Sequence, residues 1–372
     1  MVMTQKQRIL AAARGEHLDK LPFGARIDLW YNYNLGHGTL PEKYKGWSEV
    51  DIIRDQGAGA HYRSLPMIKE EYHDMEVIKK DEPPYITTEF RTPLGSVCKK
   101  MAFTPDTGEY APYEIENLFK SESDYPIIKY VLEHTIPVLD SEKYSKARDE
   151  VGESGLVVTG ATDDSPTQRV MREMMGYDRF FYELMDHPTK VEELIEVMKS
   201  LQRKEYEIAV KLDLEIFNIC CNWSDDIHTP IFKKYFTPWL QEITDFLHAH
   251  GKLSMVHIDG ENRRLIPFFL DTHVDVFEAW TPAPMTMVTN AELKKALGDK
   301  ATIWGGIPAI LFEPTYSDEE FDNYIINLFK EIAPGYRFIV GMGDNVPFDG
   351  KIERVRRVVE LIDEYGSLPI EI

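Results

Sequence analysis

The chain has 372 residues, of which 43% are hydrophobic and 12% aromatic, enough to bury a sizeable core. Sixty-three acidic residues outnumber 42 basic ones, and the net charge of -21 excludes nucleic acid and anionic lipid as favourable partners. No stretch approaches the roughly 20 apolar residues of a membrane span, and the charged N-terminus does not resemble a signal peptide. With only three cysteines, two of them adjacent, no disulfide framework forms. We therefore expect a cytoplasmic protein without membrane association.

Short apolar runs predict eight strands, and amphipathic stretches predict helices between the later ones. In chain order, the predicted strands are residues 21–27, 58–63, 156–160, 214–219, 253–257, 274–278, 302–305 and 337–341. The predicted helices are residues 166–185, 188–211, 238–250, 262–270, 290–297, 317–332 and 352–365. Strands that alternate with helices form parallel sheets, and this chain length suits an α/β fold of the (β/α)8 TIM barrel type.

The helical period disappears between about residues 71 and 116. Segments 85–92 and 96–103 flank Pro93-Leu94-Gly95, which is typical of a turn and predicts an inserted β-hairpin. No repeat, low-complexity segment or flexible linker indicates a second domain. We therefore expect residues 1–372 to form a single barrel domain with an insertion at about 71–116.

Polar and aromatic residues follow several predicted strands, where the loops of a barrel build the active site. The residues at these positions that we expect to contact a substrate are Asp28, Trp30, Tyr31, Asp163, Asn222, Trp223 and Trp280. Any one of the aromatic residues is also a normal core residue. The prediction of a pocket that stacks on an aromatic ring therefore depends on the group.

A second set of residues at the strand ends consists of His257, Asp259, Glu278 and Asp344. Carboxylates that converge in a partly desolvated cleft must either take up protons or share a positive partner. An imidazole beside them favours a divalent metal such as zinc, so we predict a metal site formed by these four residues. A metal-free acid and base cluster and purely structural roles remain as alternatives.

Both ends of the chain resemble a known family. The segment RILAAARGE at residues 8–16, followed by Leu21 and Pro22, is similar to the start of uroporphyrinogen decarboxylases and of the related corrinoid methyltransferases. The segment FIVGMGDNVP at residues 338–347 is similar to their closing strand and loop. The arginine-rich motif of the decarboxylase branch has no counterpart around residues 26–33. The resemblance therefore favours the methyltransferase branch.

That branch implies a set of metal ligands. His257 and Asp259 stand where it carries a His-x-Cys pair of zinc ligands, and Asp344 stands where it carries a later cysteine. Carboxylates in place of thiolates make a bound zinc ion a stronger Lewis acid towards oxygen and give no reason to bind a thiol. The resemblance thus implies an oxygen-containing substrate.

A third resemblance concerns the spacing of Glu192, Glu207 and His228. It reproduces the Glu-x14-Glu-x20-His pattern proposed as a zinc motif for the ether-cleaving methyltransferases of anaerobic bacteria. On one continuous helix, Glu192 and Glu207 would stand about 22 Å apart at a rise of 1.5 Å per residue. We therefore interpret the pattern as a mark of the subfamily and not as a metal site.

The implied activity is O-demethylation. A small aromatic methyl ether gives its methyl group to the cob(I)alamin of a separate corrinoid protein, and His257, Asp259 and Asp344 are the implied catalytic residues, which hold or replace an electrophile at the leaving oxygen. One alternative is a decarboxylase acting on a small acid, with Arg26 and Arg63 as the carboxylate clamp. The other is a non-catalytic scaffold that binds a metabolite or a corrinoid protein.

Overall fold

The structure is a computed structural model that describes residues 3–64, 66–103, 112–162 and 164–372. The strands of these ranges are β1 Gly24–Ala25, β2 Gly59–Arg63, β3 Ile68–Tyr72, β4 Glu76–Glu82, β5 Tyr85–Thr92, β6 Gly95–Ala102, β7 Tyr113–Glu116, β8 Thr135–Leu139, β9 Gly155–Val158, β10 Ile216–Cys221, β11 Leu253–His257, β12 Val276–Trp280, β13 Thr302–Pro308 and β14 Phe338–Gly343. The α-helices are α1 Gln5–Arg14, α2 Asp28–His37, α3 Glu49–Gln56, α4 Tyr125–Glu133, α5 Ser141–Val151, α6 Pro166–Arg169, α7 Tyr177–Asp186, α8 Pro188–Ala209, α9 Asp225–His228, α10 Thr237–Ala249, α11 Ile266–Phe269, α12 Asn290–Leu297, α13 Asp318–Ile332 and α14 Glu353–Tyr365.

The chain divides into two compact units. The first consists of the described residues of Met1–Leu65, Glu142–Thr159 and Leu214–Ile372, and the second of those of Pro66–Ser141 and Gly160–Asp213. The single-domain interpretation of residues 1–372 stays a prediction. No helix of the described residues is both long enough and apolar enough to cross a lipid bilayer.

Eight parallel strands of the first unit form a closed barrel. Strands β1, β2 and β9 make one sheet, and β10 to β14 make a second sheet in chain order. Parallel bridges between Thr159 and Phe217 and between Phe23 and Val340 join the two sheets at both edges. The ring of strands is therefore complete, and the predicted (β/α)8 barrel is confirmed.

The interior of the barrel is filled by large side chains next to glycines. Trp304 is 1% exposed, and a Cβ added to Gly24 would lie 2.4 Å from its indole ring. A Cβ on Gly341 would lie 2.9 Å from the same ring. The imidazole of His61 packs on Trp304 at a centroid distance of 4.6 Å. Glycine at these two positions thus makes room for a packed aromatic layer.

Helix α1 covers the N-terminal end of the barrel. Thr4 and Gln7 form a capping box at its start, and Gly15 ends it with a φ of 69°, a left-handed conformation that favours glycine. The hydroxyl of Thr302, the first residue of β13, donates a hydrogen bond of 2.9 Å to the carbonyl oxygen of Ala12. The buried apolar residues of α1 form one cluster with side chains of the strands, so this end of the barrel is closed.

The second unit contains the inserted sheet. Strands β4 to β7 form an antiparallel sheet in chain order, and β3 pairs with β8. The predicted hairpin is confirmed as β5 and β6, and two further strands extend it. The helix predicted at residues 166–185 is interrupted: a π-helical turn spans Val170–Met175, and Gly176 separates it from α7 with a φ of 79°. Helix α8 is continuous, as predicted.

Candidate active site

Four residues of the first unit meet at the C-terminal ends of its strands. His257 is the last residue of β11, and Asp259 follows two positions later. Glu278 lies on β12 directly beside His257 in the strand register. Asp344 follows the last residue of β14. Because parallel strands end at the same edge of the barrel, residues distant in sequence become neighbours here.

The imidazole of His257 is the centre of this cluster. Its Nδ1 lies 2.6 Å from Oε2 of Glu278, and its Nε2 lies 3.4 Å from Oδ1 of Asp344 and 3.8 Å from Oδ2 of Asp259. His257 and Glu278 are only 3% and 1% exposed, whereas the side chains of Asp259 and Asp344 are 35% and 40% exposed. The cluster thus has a buried histidine and a buried glutamate, His257 and Glu278, and two aspartates that solvent or a ligand can reach.

The charges of the cluster reinforce one another in the metal-free protein. Burial alone would lower the pKa of His257, but the charge of Glu278, its hydrogen bond and the nearby Asp259 carboxylate raise it to about 9. Burial alone would raise the pKa of Glu278, but the positive charges of His257 and His61 lower it to about 2. Without a metal, His257 is therefore an imidazolium paired with a carboxylate.

The donor set also fits a divalent metal. His257, Asp259 and Asp344 each offer one ligand atom, and these three atoms lie within 4.8 Å of one another. The charged neighbours are the carboxylates Asp28, Asp259, Glu278 and Asp344 and the guanidinium groups Arg26 and Arg63. Once His257 has given up its proton to bind a metal, four negative and two positive charges leave a surplus of two negative charges. One divalent cation would balance that surplus.

Glu278 occupies a different place from the other predicted ligands. It binds Nδ1 of His257, the ring nitrogen opposite the one that faces Asp259 and Asp344. Metal-binding histidines commonly use one nitrogen for the metal and the other for a carboxylate that fixes the ring. The structure therefore brings all four predicted residues together, but Glu278 lies on the side of the imidazole opposite Asp259 and Asp344.

Asp344 and Asp28 are connected through Arg26. The guanidinium of Arg26 forms an ion pair with Oδ1 of Asp344 and another, of 2.8 Å, with Oδ1 of Asp28. Asn345 donates a hydrogen bond of 2.7 Å to the same oxygen of Asp28. The predicted substrate-binding residue Asp28 is thus held by Arg26 and Asn345, and this network fixes the position of Asp344.

Three residues at the strand ends adopt a positive φ although they are not glycines. The φ angles are 56° for Asn222, 57° for Ala279 and 81° for Asp344. The backbone N–H of Asn222 donates a hydrogen bond of 2.9 Å to the carbonyl oxygen of His257, and the side chain of Asn222 is exposed. Such conformations are uncommon outside glycine and cluster at functional sites. Their concentration around His257 supports this edge of the barrel as the site of function.

The predicted aromatic residues do not gather around one surface. Trp223, 1% exposed, packs on Phe232 at a centroid distance of 4.8 Å. Trp280 is fully buried and donates a hydrogen bond of 3.0 Å to Oδ1 of Asn290 on α12. These two rings therefore lie in the layer between strands and helices. On α2, Trp30 is 4% exposed, and the hydroxyl of Tyr31 donates to the carbonyl oxygen of Trp47. Asp163 lies outside the described residues.

Two residues that surround the cluster, Arg63 and His61, were not among the predicted metal ligands or substrate contacts, and Arg63 was named only as a carboxylate clamp of the decarboxylase alternative. Arg63, at the end of β2, approaches Nδ1 of His257 to 3.4 Å and donates a hydrogen bond of 3.2 Å to Sγ of Cys221. His61 lies 3.6 Å from Oε1 of Glu278. Arg63 lies at the end of its strand, where functional residues of a barrel are expected. His61 lies within its strand, and only the inward direction of its side chain reveals it.

A closed barrel of eight parallel strands with polar residues beyond their C-terminal ends is the architecture of (β/α)8-barrel enzymes. The family model "Uroporphyrinogen decarboxylase (URO-D)" matches residues 153–365, more than half of the chain. The chain therefore belongs to the uroporphyrinogen decarboxylase family. A search of curated protein sequences finds no significant match.

Solved structures share the fold at low sequence identity. A methyltransferase from Methanosarcina mazei superimposes with a TM-score of 0.63 at 13% identity, over 98% of this chain and 99% of that chain. A B12-independent methionine synthase from Shewanella sp. W3-18-1 gives a TM-score of 0.47 at 10% identity, over 93% of this chain and 98% of that chain. At such identities, the first comparison supports the fold, and the second carries no argument.

Proposed function

We propose that this protein transfers the methyl group of an aryl methyl ether to cob(I)alamin carried by a separate corrinoid protein. The observation that carries the proposal is the cluster of His257, Asp259 and Asp344, whose ligand atoms converge within 4.8 Å. These residues stand where the resembling methyltransferases carry zinc ligands. The fold that this chain shares with a methyltransferase from Methanosarcina mazei is consistent with the proposal.

The reaction requires stabilisation of a leaving oxygen. In the proposed transfer, the methyl carbon would pass from the ether oxygen to the cob(I)alamin of the corrinoid protein. The electron pair of the broken bond would stay on the oxygen, which would leave as a phenolate. A phenol has a pKa of about 10, so its anion leaves slowly unless positive charge meets the oxygen. A zinc ion held by His257, Asp259 and Asp344 would act as a Lewis acid for that charge. Their mixture of one imidazole and two carboxylates suits an oxygen substrate.

The surrounding residues position this donor set. Glu278 binds Nδ1 of His257, so Nε2 of the same ring points towards Asp344. Arg26, whose side chain is 11% exposed, holds the Asp344 carboxylate from its other side. His257 and Asp344 are thus held in place before a substrate arrives. This preorganisation reduces the reorganisation that the transition state would otherwise require.

A metal-free mechanism uses the same imidazole. Because Glu278 keeps His257 protonated, Nε2 carries a proton that could pass to the leaving oxygen. The two mechanisms differ in their response to pH. Metal binding requires loss of the proton from Nε2, whereas general acid catalysis requires that the proton be present.

The decarboxylase alternative has less support from the structure at Arg26, one of the two arginines of its clamp. A clamp for a substrate carboxylate requires a guanidinium that is not already neutralised. Arg26 is paired with both Asp28 and Asp344. A substrate acid would have to displace one of these carboxylates, which costs more than binding at an open guanidinium.

The test uses the purified protein with a reduced corrinoid protein and a panel of methoxylated aromatic compounds. We expect the absorption spectrum of methylcobalamin to appear together with an equimolar amount of phenol, and His257→Ala to abolish both. Release of carbon dioxide from a small acid without a corrinoid protein would support the decarboxylase instead. A protein that has neither bound metal nor turnover would support the scaffold.

A further inference from the structure

The second unit contains a cavity of about 520 Å³ that lies entirely among its own residues. Its walls include the apolar side chains of Ile68 and Ala161 and the ring of Tyr72. A volume of this size is within the range of cavities that bind small organic molecules. The cavity is therefore large enough for a ligand of its own.

Carboxylates dominate one side of the cavity. The buried guanidinium of Arg169 contacts Glu70 at 2.5 Å, Glu205 at 3.2 Å and Glu173 at 3.5 Å. Both oxygens of Glu70 have partners, because the hydroxyl of Tyr72 donates a hydrogen bond of 2.7 Å to the second one. Three carboxylates thus share the guanidinium of Arg169, and the charge of Lys99 also acts on Glu70, so a surplus of one negative charge is left.

The other cations of the cavity wall are already neutralised by acidic partners. Arg172 forms an ion pair of 2.6 Å with Asp164, and Lys69 forms one of 2.6 Å with Asp140. These pairs bring no net positive charge to the group around Arg169. The surplus of negative charge in the cavity therefore remains.

Glu205 carries the clearest sign of a missing partner. The residue is 2% exposed and lines the cavity, and its Oε2 has no hydrogen-bond partner among the described residues. Burial raises the pKa of Glu205 to about 7, although Arg169 lowers it. A buried carboxylate with one unsatisfied oxygen is costly, and a positive ligand would offset that cost.

We propose that this cavity binds a small organic cation, an amine or a quaternary ammonium compound, whose charge is held by Glu205 and Glu173. An anion is disfavoured by the surplus negative charge. An inorganic cation is disfavoured by size, because a single ion fills little more than the roughly 30 Å³ of one water molecule. The described residues of this unit also bring no three metal-ligating groups together. The site is independent of the methyl transfer proposed for the barrel.

The test is titration calorimetry of the full chain with choline, agmatine and spermidine at low ionic strength. The matched neutral probe is 3,3-dimethylbutan-1-ol, which has the shape of choline without its charge. We expect at least one cation to bind at one site per chain, with a dissociation constant of about 1 mM or lower and at least about tenfold tighter than the neutral alcohol. No methyl donor or corrinoid protein is present, so the result does not depend on the proposed barrel reaction.

Two substitutions on α8 assign the site. Glu205→Gln should weaken cation binding at least about tenfold. Glu207→Gln, the same change at an exposed position of the same helix, should leave binding unchanged. If circular dichroism shows that Glu205→Gln does not fold, the half-buried Glu173→Gln replaces it, and a loss of about threefold or more is expected. The proposal is overturned if none of the cations binds with a dissociation constant of about 1 mM or lower, if the neutral alcohol binds equally well, or if both glutamine variants on α8 bind like the wild type.

Discussion

Replacing Glu278 with glutamine tests how strongly the buried ion pair stabilises the metal-free barrel. Glutamine has nearly the same shape and keeps an oxygen that accepts a hydrogen bond from Nδ1 of His257, but it removes the negative charge. The charge of Glu278 is the main reason that the pKa of His257 rises to about 9. We therefore expect the variant to fold with a less stable barrel and a His257 that loses its proton at lower pH.

The magnitude follows from the shift of the histidine. A rise from 6.5 to about 9 is roughly 2.5 units, which at 1.36 kcal/mol per unit corresponds to about 3 kcal/mol. The lowered pKa of Glu278 expresses the same interaction from the other partner, so the two shifts are not added. Asp259 contributes part of the rise and remains in the variant. We expect a loss of about 2 to 3 kcal/mol in the free energy of unfolding.

The pH dependence has a definite sign. His257 has a raised pKa, so its contribution is complete below 6.5 and disappears as the pH rises through about 9. Glu278 has a lowered pKa, so its contribution is complete above 4.5 and disappears as the pH falls through about 2. The ion pair therefore stabilises the protein most between these ordinary values. The variant should differ most from the wild type near pH 6 and least near pH 10.

Urea unfolding followed by circular dichroism, in the presence of a chelator, measures this difference at both pH values. Glu319→Gln, at an exposed position of α13, serves as the control and should change the free energy of unfolding by less than about 0.5 kcal/mol. The reasoning would be refuted by a loss of equal size at both pH values, because a cost of packing alone does not titrate.

Three further predictions concern the metal. Asp344→Asn should leave the fold intact, because asparagine tolerates the φ of 81° at this position. It should reduce bound zinc, measured by elemental analysis, and methyl transfer, measured by methylcobalamin formation, at least about tenfold. Normal turnover with full metal would exclude the carboxylate as a ligand. Removal of metal by a chelator should abolish methyl transfer, and added zinc should restore it. The affinity for zinc should rise as the pH increases towards 9, because His257 must lose its proton to bind the metal. Activity that persists without metal would favour general acid catalysis. Glu192→Gln and Glu207→Gln should leave the metal content unchanged, because both lie on the continuous α8; loss of metal in both variants would contradict the strand-end site.

Much of the barrel could be predicted from local patterns. The bounds of β11 and α12 agree with the prediction, and each of the other predicted strands overlaps an observed one. Buried parallel strands have continuous apolar runs, so they are visible without knowledge of their neighbours. The first strand is the weakest case: the prediction covered residues 21–27, whereas β1 spans only Gly24–Ala25. One glycine and one alanine carry little local signal for a strand.

The sequence by itself determined which residues reach the C-terminal edge, because strand ends can be located from apolar runs and barrel loops follow them. His257, Asp259, Glu278 and Asp344 were all found in this way. It could not determine which nitrogen of His257 faces Glu278, since ring orientation depends on the register of β11 and β12.

Only the tertiary structure decided that Trp223 and Trp280 pack between strands and helices, because an aromatic residue at a strand end has the same local pattern whichever side it faces. The pairing of Arg26 with Asp344, 318 residues apart in the chain, likewise exists only because β14 returns beside β1. Local sequence specifies the elements, but the closure of the barrel specifies which charges meet.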